Sequence, residues 1–157
     1  MNYKKERLER VFKECDKHLM RLQSAFKKMS PSIPLNSNSY ESLSDDEVEH
    51  IDQYLFRFAK LQDAIGKKLF KALLDYFEED IENLTFIDIL NRLEKLQILE
   101  DKNDWQTLRI IRNNLAHEYD DNSEEMSSAI NLIYEKKELI EKIYLKIVDY
   151  YQKKRDN

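Results

Sequence analysis

Apolar residues recur at steps of three and four through most of the chain, the spacing of helices that each bury one face. Leu8, Phe12, Cys15, Leu19, Leu22 and Phe26 predict a first helix from about Tyr3 to Lys28. The stretch MSPSIPLNSNSYES that follows holds two prolines and several Ser and Asn residues, and reads as a loop. Ser44-Asp-Asp-Glu47 has the form of a capping box, a serine cap with glutamate at the third helical position. It predicts a second helix to about Glu79, with Ile51, Leu55, Phe58, Ile65, Leu69, Ala72 and Tyr76 on one face and Tyr54, Leu61 and Phe70 on its flank. Asn83-Leu-Thr-Phe opens a short third helix to about Gln97, and Asn103-Asp-Trp-Gln106, another apparent capping box, opens a fourth. Ser123 caps a fifth, acidic in its first turn, with Met126, Ile130, Ile133, Ile140, Tyr144, Ile147 and Tyr151 as its stripe, interrupted by Lys137. The expected fold is all-α: a single domain over residues 1–157, an up-and-down bundle of about five helices with two short ones inserted before the last long one.

Gly66 falls inside the second helix, where glycine costs about 1 kcal/mol relative to alanine. Close approach of a neighbouring helix, or a local kink, is the expected reason. The adjacent Lys67-Lys68 does not make a phosphate loop, because the glycine that should precede it is missing.

Composition agrees with helices. Of 157 residues one is Gly and two are Pro, too few turn formers for an all-β fold. Charged residues make up 36% of the chain, and the net charge of -5 argues against nonspecific nucleic-acid binding, while leaving room for a local basic patch. Cys15 is the only cysteine, which excludes an intramolecular disulfide or a Cys-based zinc site; between Phe12 and Leu19 it reads as a buried thiol. The N-terminal MNYKKERLER lacks an apolar signal core and no run reaches membrane-spanning length, so the expected location is cytoplasmic, without a membrane partner.

Chemistry-bearing residues are few. Glu47-Val-Glu-His50 supplies one Glu-x-x-His pair, but a di-metal bundle needs two, so no metal or other cofactor is expected and His50 reads as a surface residue. Most aromatic residues keep helical spacing and belong to the core rather than to a base-stacking platform, and KKER, EKKELIEK and QKKRD read as solvated faces. The run IIRNNLAHEYDD is different. With Arg112 set at zero on an ideal helix, Trp105, Leu108, Leu115, Ala116 and Tyr119 fall within about 60° of it, so an arginine stands in the apolar stripe. Asn113 and His117 share another line, near Arg109 and Gln106. A guanidinium there needs a partner, which leaves two readings: a structural ion pair, or a site for an anion. A planar fork suits phosphate oxygens, and a histidine that titrates near neutrality suits proton transfer.

Arg112-Asn113-x-x-x-His117-x-Tyr119 resembles the R-N-x-x-x-H-x-Y motif of HEPN-domain proteins, in particular the HepT-type toxins of bacteria and archaea. The placement of the motif before the last long helix of a small all-α chain is similar too. The resemblance implies a homodimer whose motifs meet across a two-fold axis to form a cleft that cleaves RNA without metal, in a type VII-like toxin–antitoxin system. It implies His117 as general acid or base, Arg112 as phosphate holder and Asn113 as an orienting amide. Arg109, with Lys102 or Arg92, would add RNA contacts. It further implies a minimal nucleotidyltransferase as partner and antitoxin, which transfers AMP to Tyr119. Two alternatives stand beside it: a non-catalytic HEPN protein that binds a nucleotidyltransferase or nucleotide, and a helical adaptor in which Arg112 is a structural ion pair.

Overall fold

A computed structural model describes residues 2–77, 79–116 and 122–155. Helix α1, Tyr3–Met29, is the axis of the molecule. Asn2 caps it, and its predicted stripe is buried at Leu8, Phe12, Cys15, Leu19 and Leu22, joined by Val11, Ala25 and Met29. The segment expected to be a loop holds more structure than its prolines and serines announced. After a 3-10 turn at Ser30–Ser32, helix α2, Ser37–Glu41, is capped by Asn36. Both backbone groups of Leu35 hydrogen-bond the Asn131 side-chain amide, at 2.8 Å each, which fastens the segment to a residue 96 positions later in the chain.

Helix α3, Asp45–Ala64, starts at the predicted capping box: Glu47 N–H donates to Ser44 Oγ at 3.1 Å, and Ser44 N–H donates to Glu47 Oε1 at 3.0 Å. It runs through a widened π turn, Ile65–Leu69, into α4, Phe70–Tyr76. This long rod lies antiparallel to α1, since Ser32 meets Glu47, His18 meets Arg57, Glu14 meets Lys68 and Lys4 meets Asp75. Of the two reasons expected for Gly66, the close approach is present. The glycine lies in the π turn, and a Cβ there would stand 2.9 Å from Cζ2 of Trp105.

Helix α5 is Phe86–Lys95, capped by Thr85 rather than Asn83, whose φ of 66° places it in the turn before the cap. It stops when Gln97 takes a left-handed φ of 62°, and Ile98 N–H closes the end on Leu93 C=O. Helix α6, Lys102–Ala116, begins ahead of the predicted cap: the Asp101 carboxylate accepts the Asn103 N–H at 2.8 Å, so Asn103 is already inside the first turn. The last rod is capped by Asn122 rather than Ser123, and is two helices, α7 (Ser123–Glu135) and α8 (Lys137–Arg155), with a break at Lys136. It also runs antiparallel to α1. Ser30 meets Tyr134, Gln23 meets Glu141, Asp16 meets Tyr144 and Glu9 meets Tyr151.

Three long rods therefore form the bundle, with α5 and α6 packed against α3–α4 through Phe70, Phe86 and Trp105. The aromatic residues are mostly core, as their spacing implied: Tyr54, Phe58, Phe70, Trp105 and Tyr144 are fully buried, and Tyr54 donates its hydroxyl to Ile133 C=O at 2.8 Å. Among the described residues there is no strand, and no helix is long and apolar enough to cross a membrane.

Candidate functional site

Helix α6 turns Trp105, Leu108 and Ile111 into the core. Arg112 shares the line of Trp105 and Leu108 and reaches across to α3, where its Nη2 donates to Asp63 Oδ2 at 3.0 Å. The ion pair predicted as one alternative is thus present, but neither partner is sealed in: the two side chains are 34% and 32% exposed. Lys67 stands on the other oxygen of Asp63 at 3.9 Å.

The pair borders a cavity of about 160 Å³ between α3 and α6. Gly66, Phe86 and Trp105 form its apolar wall, and Lys67, Arg109, Arg112 and Asn113 give it a polar rim. Two polar atoms of these lining residues, Nε of Arg112 and Oε1 of Gln62, are closed to solvent and have no hydrogen-bond partner. Gln62 is only 3% exposed. A buried polar group without a partner costs about 1–3 kcal/mol. Lys67, Arg109 and Arg112 set three cations around the cavity against the one carboxylate of Asp63, so a small anion would be stabilised there.

The structure brings together three of the five residues singled out in the sequence. Arg109 and Arg112 line the cavity together with Asn113, which is exposed at its edge. Arg109 lies over the Phe86 ring, 4.6 Å from its centre, and touches Gln106 at 3.5 Å. His117 and Tyr119 lie outside the described residues, just beyond the end of α6. The other suggested RNA contacts stand elsewhere. Arg92 is paired with Glu79 at 3.0 Å, Lys102 Nζ donates to Asn91 at 2.6 Å, and neither lines the cavity.

Gln62, Asp63 and Lys67 were not anticipated. The signal for Gln62 existed: it stands four residues after Phe58 and seven after Leu55, a polar side chain at the spacing of an apolar face. Asp63 gave no such signal, because one acidic residue on a helix flank is ordinary.

Other candidates resolve into structure. Both carboxylate oxygens of Glu47 are engaged, one by the Ser44 N–H and one by the Ser32 hydroxyl at 2.9 Å, so Glu47 serves a helix start. Among the described residues no three His, Cys, Asp or Glu side chains are grouped to hold a metal ion. Cys15 is fully buried, and burial pushes its thiol up to about 12, which keeps it inert. A larger groove of about 560 Å³ between α1 and α8 is lined by Phe12, Val148 and Tyr151 among charged residues, and contains none of the motif. No protein-family model matches the chain, and neither a curated protein nor a solved structure matches it significantly.

Proposed function

We propose that this protein is a HEPN-like, metal-independent endoribonuclease, the toxin of a toxin–antitoxin pair, and that it works as a homodimer. One observation carries the reading. The arginine of the R-N-x-x-x-H-x-Y motif lines a cavity with Lys67, Arg109 and Asn113, its side chain 34% exposed, and stands five residues before His117 in sequence. In this reading an RNA phosphate binds the guanidinium of Arg112. His117 acts as general acid or base while the ribose 2′-oxygen attacks phosphorus. The bond to the 5′-oxygen breaks, that oxygen leaves with a proton, and a 2′,3′-cyclic phosphate remains. Arg112 stabilises the charge that builds on the phosphate oxygens, and Asn113 orients the imidazole or an oxygen.

Regulation follows from Tyr119. A cognate minimal nucleotidyltransferase would transfer AMP from ATP to its hydroxyl, releasing pyrophosphate. The bulky anion would then pair with Arg112 and obstruct the cleft.

Purified protein incubated with RNA in EDTA tests the activity. Cleavage with cyclic-phosphate ends is expected, with a loss of about 10²-fold or more in His117→Ala. Intact-mass measurement with the nucleotidyltransferase, ATP and Mg²⁺ tests the regulation: an adenylyl group should appear and should be absent in Tyr119→Phe.

The Asp63–Arg112 pair favours a second reading, a non-catalytic HEPN-like protein or helical adaptor in which the charge of the arginine is already paired. Intact RNA under every condition, together with retained binding of a nucleotidyltransferase or nucleotide, selects it.

A further inference from the structure

A chain of net charge -5 carries one segment of the opposite sign. Between Gln53 and Leu74 there are five cations, Arg57, Lys60, Lys67, Lys68 and Lys71, against the single carboxylate of Asp63. All five lie on the α3–α4 rod at helical spacing, over roughly 21 Å at 1.5 Å per residue. Lys60, Lys67, Lys68 and Lys71 are exposed, and Arg57 is half-buried.

A series of contacts joins them to the candidate site. Lys67 and Arg112 share the carboxylate of Asp63 and line the same cavity. Lys68 meets Glu14 at 2.8 Å, Glu14 meets His18 at 3.4 Å, and His18 Nδ1 faces Arg57 at 3.0 Å. At the far end Phe56 is 52% exposed, and both Arg57 and Lys60 stand over its ring, at 5.3 and 5.4 Å. A half-exposed ring with mobile cations over it is a surface on which a base can stack once phosphates draw those charges aside.

The bland alternative is a solvated lysine face, balanced by local acids. Two features count against it. Lys60 and Lys71 have no carboxylate partner among the described residues, and the partners of Lys67 and Lys68 are exposed ion pairs, worth about 0–1 kcal/mol and easily exchanged for phosphate. A second copy of the chain is also a poor occupant, since an isologous contact would set these cations against themselves.

We infer that the α3–α4 ridge formed by Arg57, Lys60, Lys68 and Lys71 with Phe56 is a track for single-stranded RNA, leading through Lys67 to the Arg112 cavity. The inference rests on the ribonuclease reading for its choice of RNA, and it supplies the basic surface that an acidic nuclease needs. Lys102 and Arg92 have no part in it.

The test is binding of a fluorescent 2′-O-methyl RNA oligonucleotide, which offers no 2′-hydroxyl for cleavage, followed by anisotropy over a range of salt. The full-length protein is compared with a Lys60→Gln/Lys71→Gln variant and with an off-ridge control, Lys27→Gln/Lys28→Gln. Each single-stranded phosphate contact contributes about 0.7 to the slope of log affinity against log salt. The ridge variant should bind more weakly with a slope shallower by about 1.4, and the control should match wild type. Phe56→Ala should weaken binding without changing the slope. Equal losses in ridge variant and control overturn the inference, as does absence of RNA binding when polyglutamate binds, which would assign the ridge to an acidic protein. Protein that binds along the ridge but never cuts RNA upholds the track and removes the nuclease reading. Protein that cuts a dinucleotide yet binds RNA independently of the ridge upholds the nuclease and removes the track.

Discussion

The α-carbon of Gly66 is packed against the indole of Trp105, so closely that a Cβ would come within 2.9 Å of Cζ2. The indole is 1% exposed with the Phe70 ring against it at 4.8 Å, which limits how far it can yield. In an open helix Gly→Ala would gain about 1 kcal/mol, but overpacking a filled core costs about 1–3 kcal/mol. Gly66→Ala should therefore destabilise the protein by about 1–2 kcal/mol, read from denaturant melts. Trp105 is the only tryptophan, so its fluorescence should shift as well. Adding Trp105→Phe to the Gly66→Ala background should recover part of the loss. A Gly66→Ala protein more stable than wild type would show that the contact is not binding on the fold.

Gly66 also shows how much of the fold was legible in sequence. Its cost in a helix demanded a reason, and the demand could be read from one residue, although the partner indole could not. Helix identity and the buried stripes were legible because burial imposes a period of three to four. Caps were legible only in part, since Asn83, Asn103 and Ser123 each have a neighbour of the same capping chemistry. Helix α2 was hidden because its first residues, Ser37, Asn38 and Ser39, favour loops, and it is held by Asn131, far along the chain. At the site, Arg112 announced itself by standing in an apolar stripe. Its partner Asp63, on the flank of another helix, announced nothing.

The Asp63–Arg112 pair separates a structural role from a catalytic one. Exposed by about a third on both sides, it should contribute only about 0–1 kcal/mol to stability. Asp63→Ala should therefore melt within about 1 kcal/mol of wild type. If Arg112 holds phosphate, loss of its orienting carboxylate should lower kcat/KM for RNA about tenfold, the worth of one charge-assisted hydrogen bond. Asp63→Asn, which keeps an acceptor, should restore most of that loss, and Arg112→Lys should be inactive because an ammonium lacks the planar fork. Full RNA cleavage in Arg112→Lys, with folding intact, would move the assignment to the adaptor reading.

His18 should make stability depend on pH. Burial is the main influence holding its imidazole below the ordinary value of 6.5, opposed by the hydrogen bond to Glu14 and aided by the nearby Arg57 and Lys60. Its Nδ1 faces an Arg57 N–H at 3.0 Å, so a proton there would leave two donors face to face. A group with a depressed folded pKa stabilises the fold above its unfolded value, and the contribution fades as pH falls from there towards the folded value. The melting temperature should decline below about pH 6.5, more steeply than in His18→Gln. Glu14, held low chiefly by its hydrogen bond from Lys68, acts in a separate window, below its ordinary 4.5. Parallel melting profiles for wild type and His18→Gln from pH 7 to 5 would rule out this role for His18.

Ile110 is the residue on which the homodimer can be tested. It is 61% exposed on α6, on the side of the helix away from Trp105 and two residues before Arg112. A lone exposed isoleucine is unremarkable on any protein, so its exposure does not itself require a partner. The ribonuclease reading does, because it joins two motifs across a two-fold axis, and α6 is the helix that would carry each motif to that axis. Near the axis an isologous interface brings a residue close to its own copy. Ile110→Glu would set two carboxylates against each other there, a like-charge contact that costs far more than the lost apolar area. Light scattering at micromolar concentration should give about twice the 19.0 kDa chain mass for wild type and the chain mass for Ile110→Glu. RNA cleavage should fall with the dimer and recover in part as protein concentration rises. A wild-type mass of one chain, or a dimer indifferent to Ile110→Glu, would place the motif away from any two-fold interface and leave Arg112 to act within one subunit.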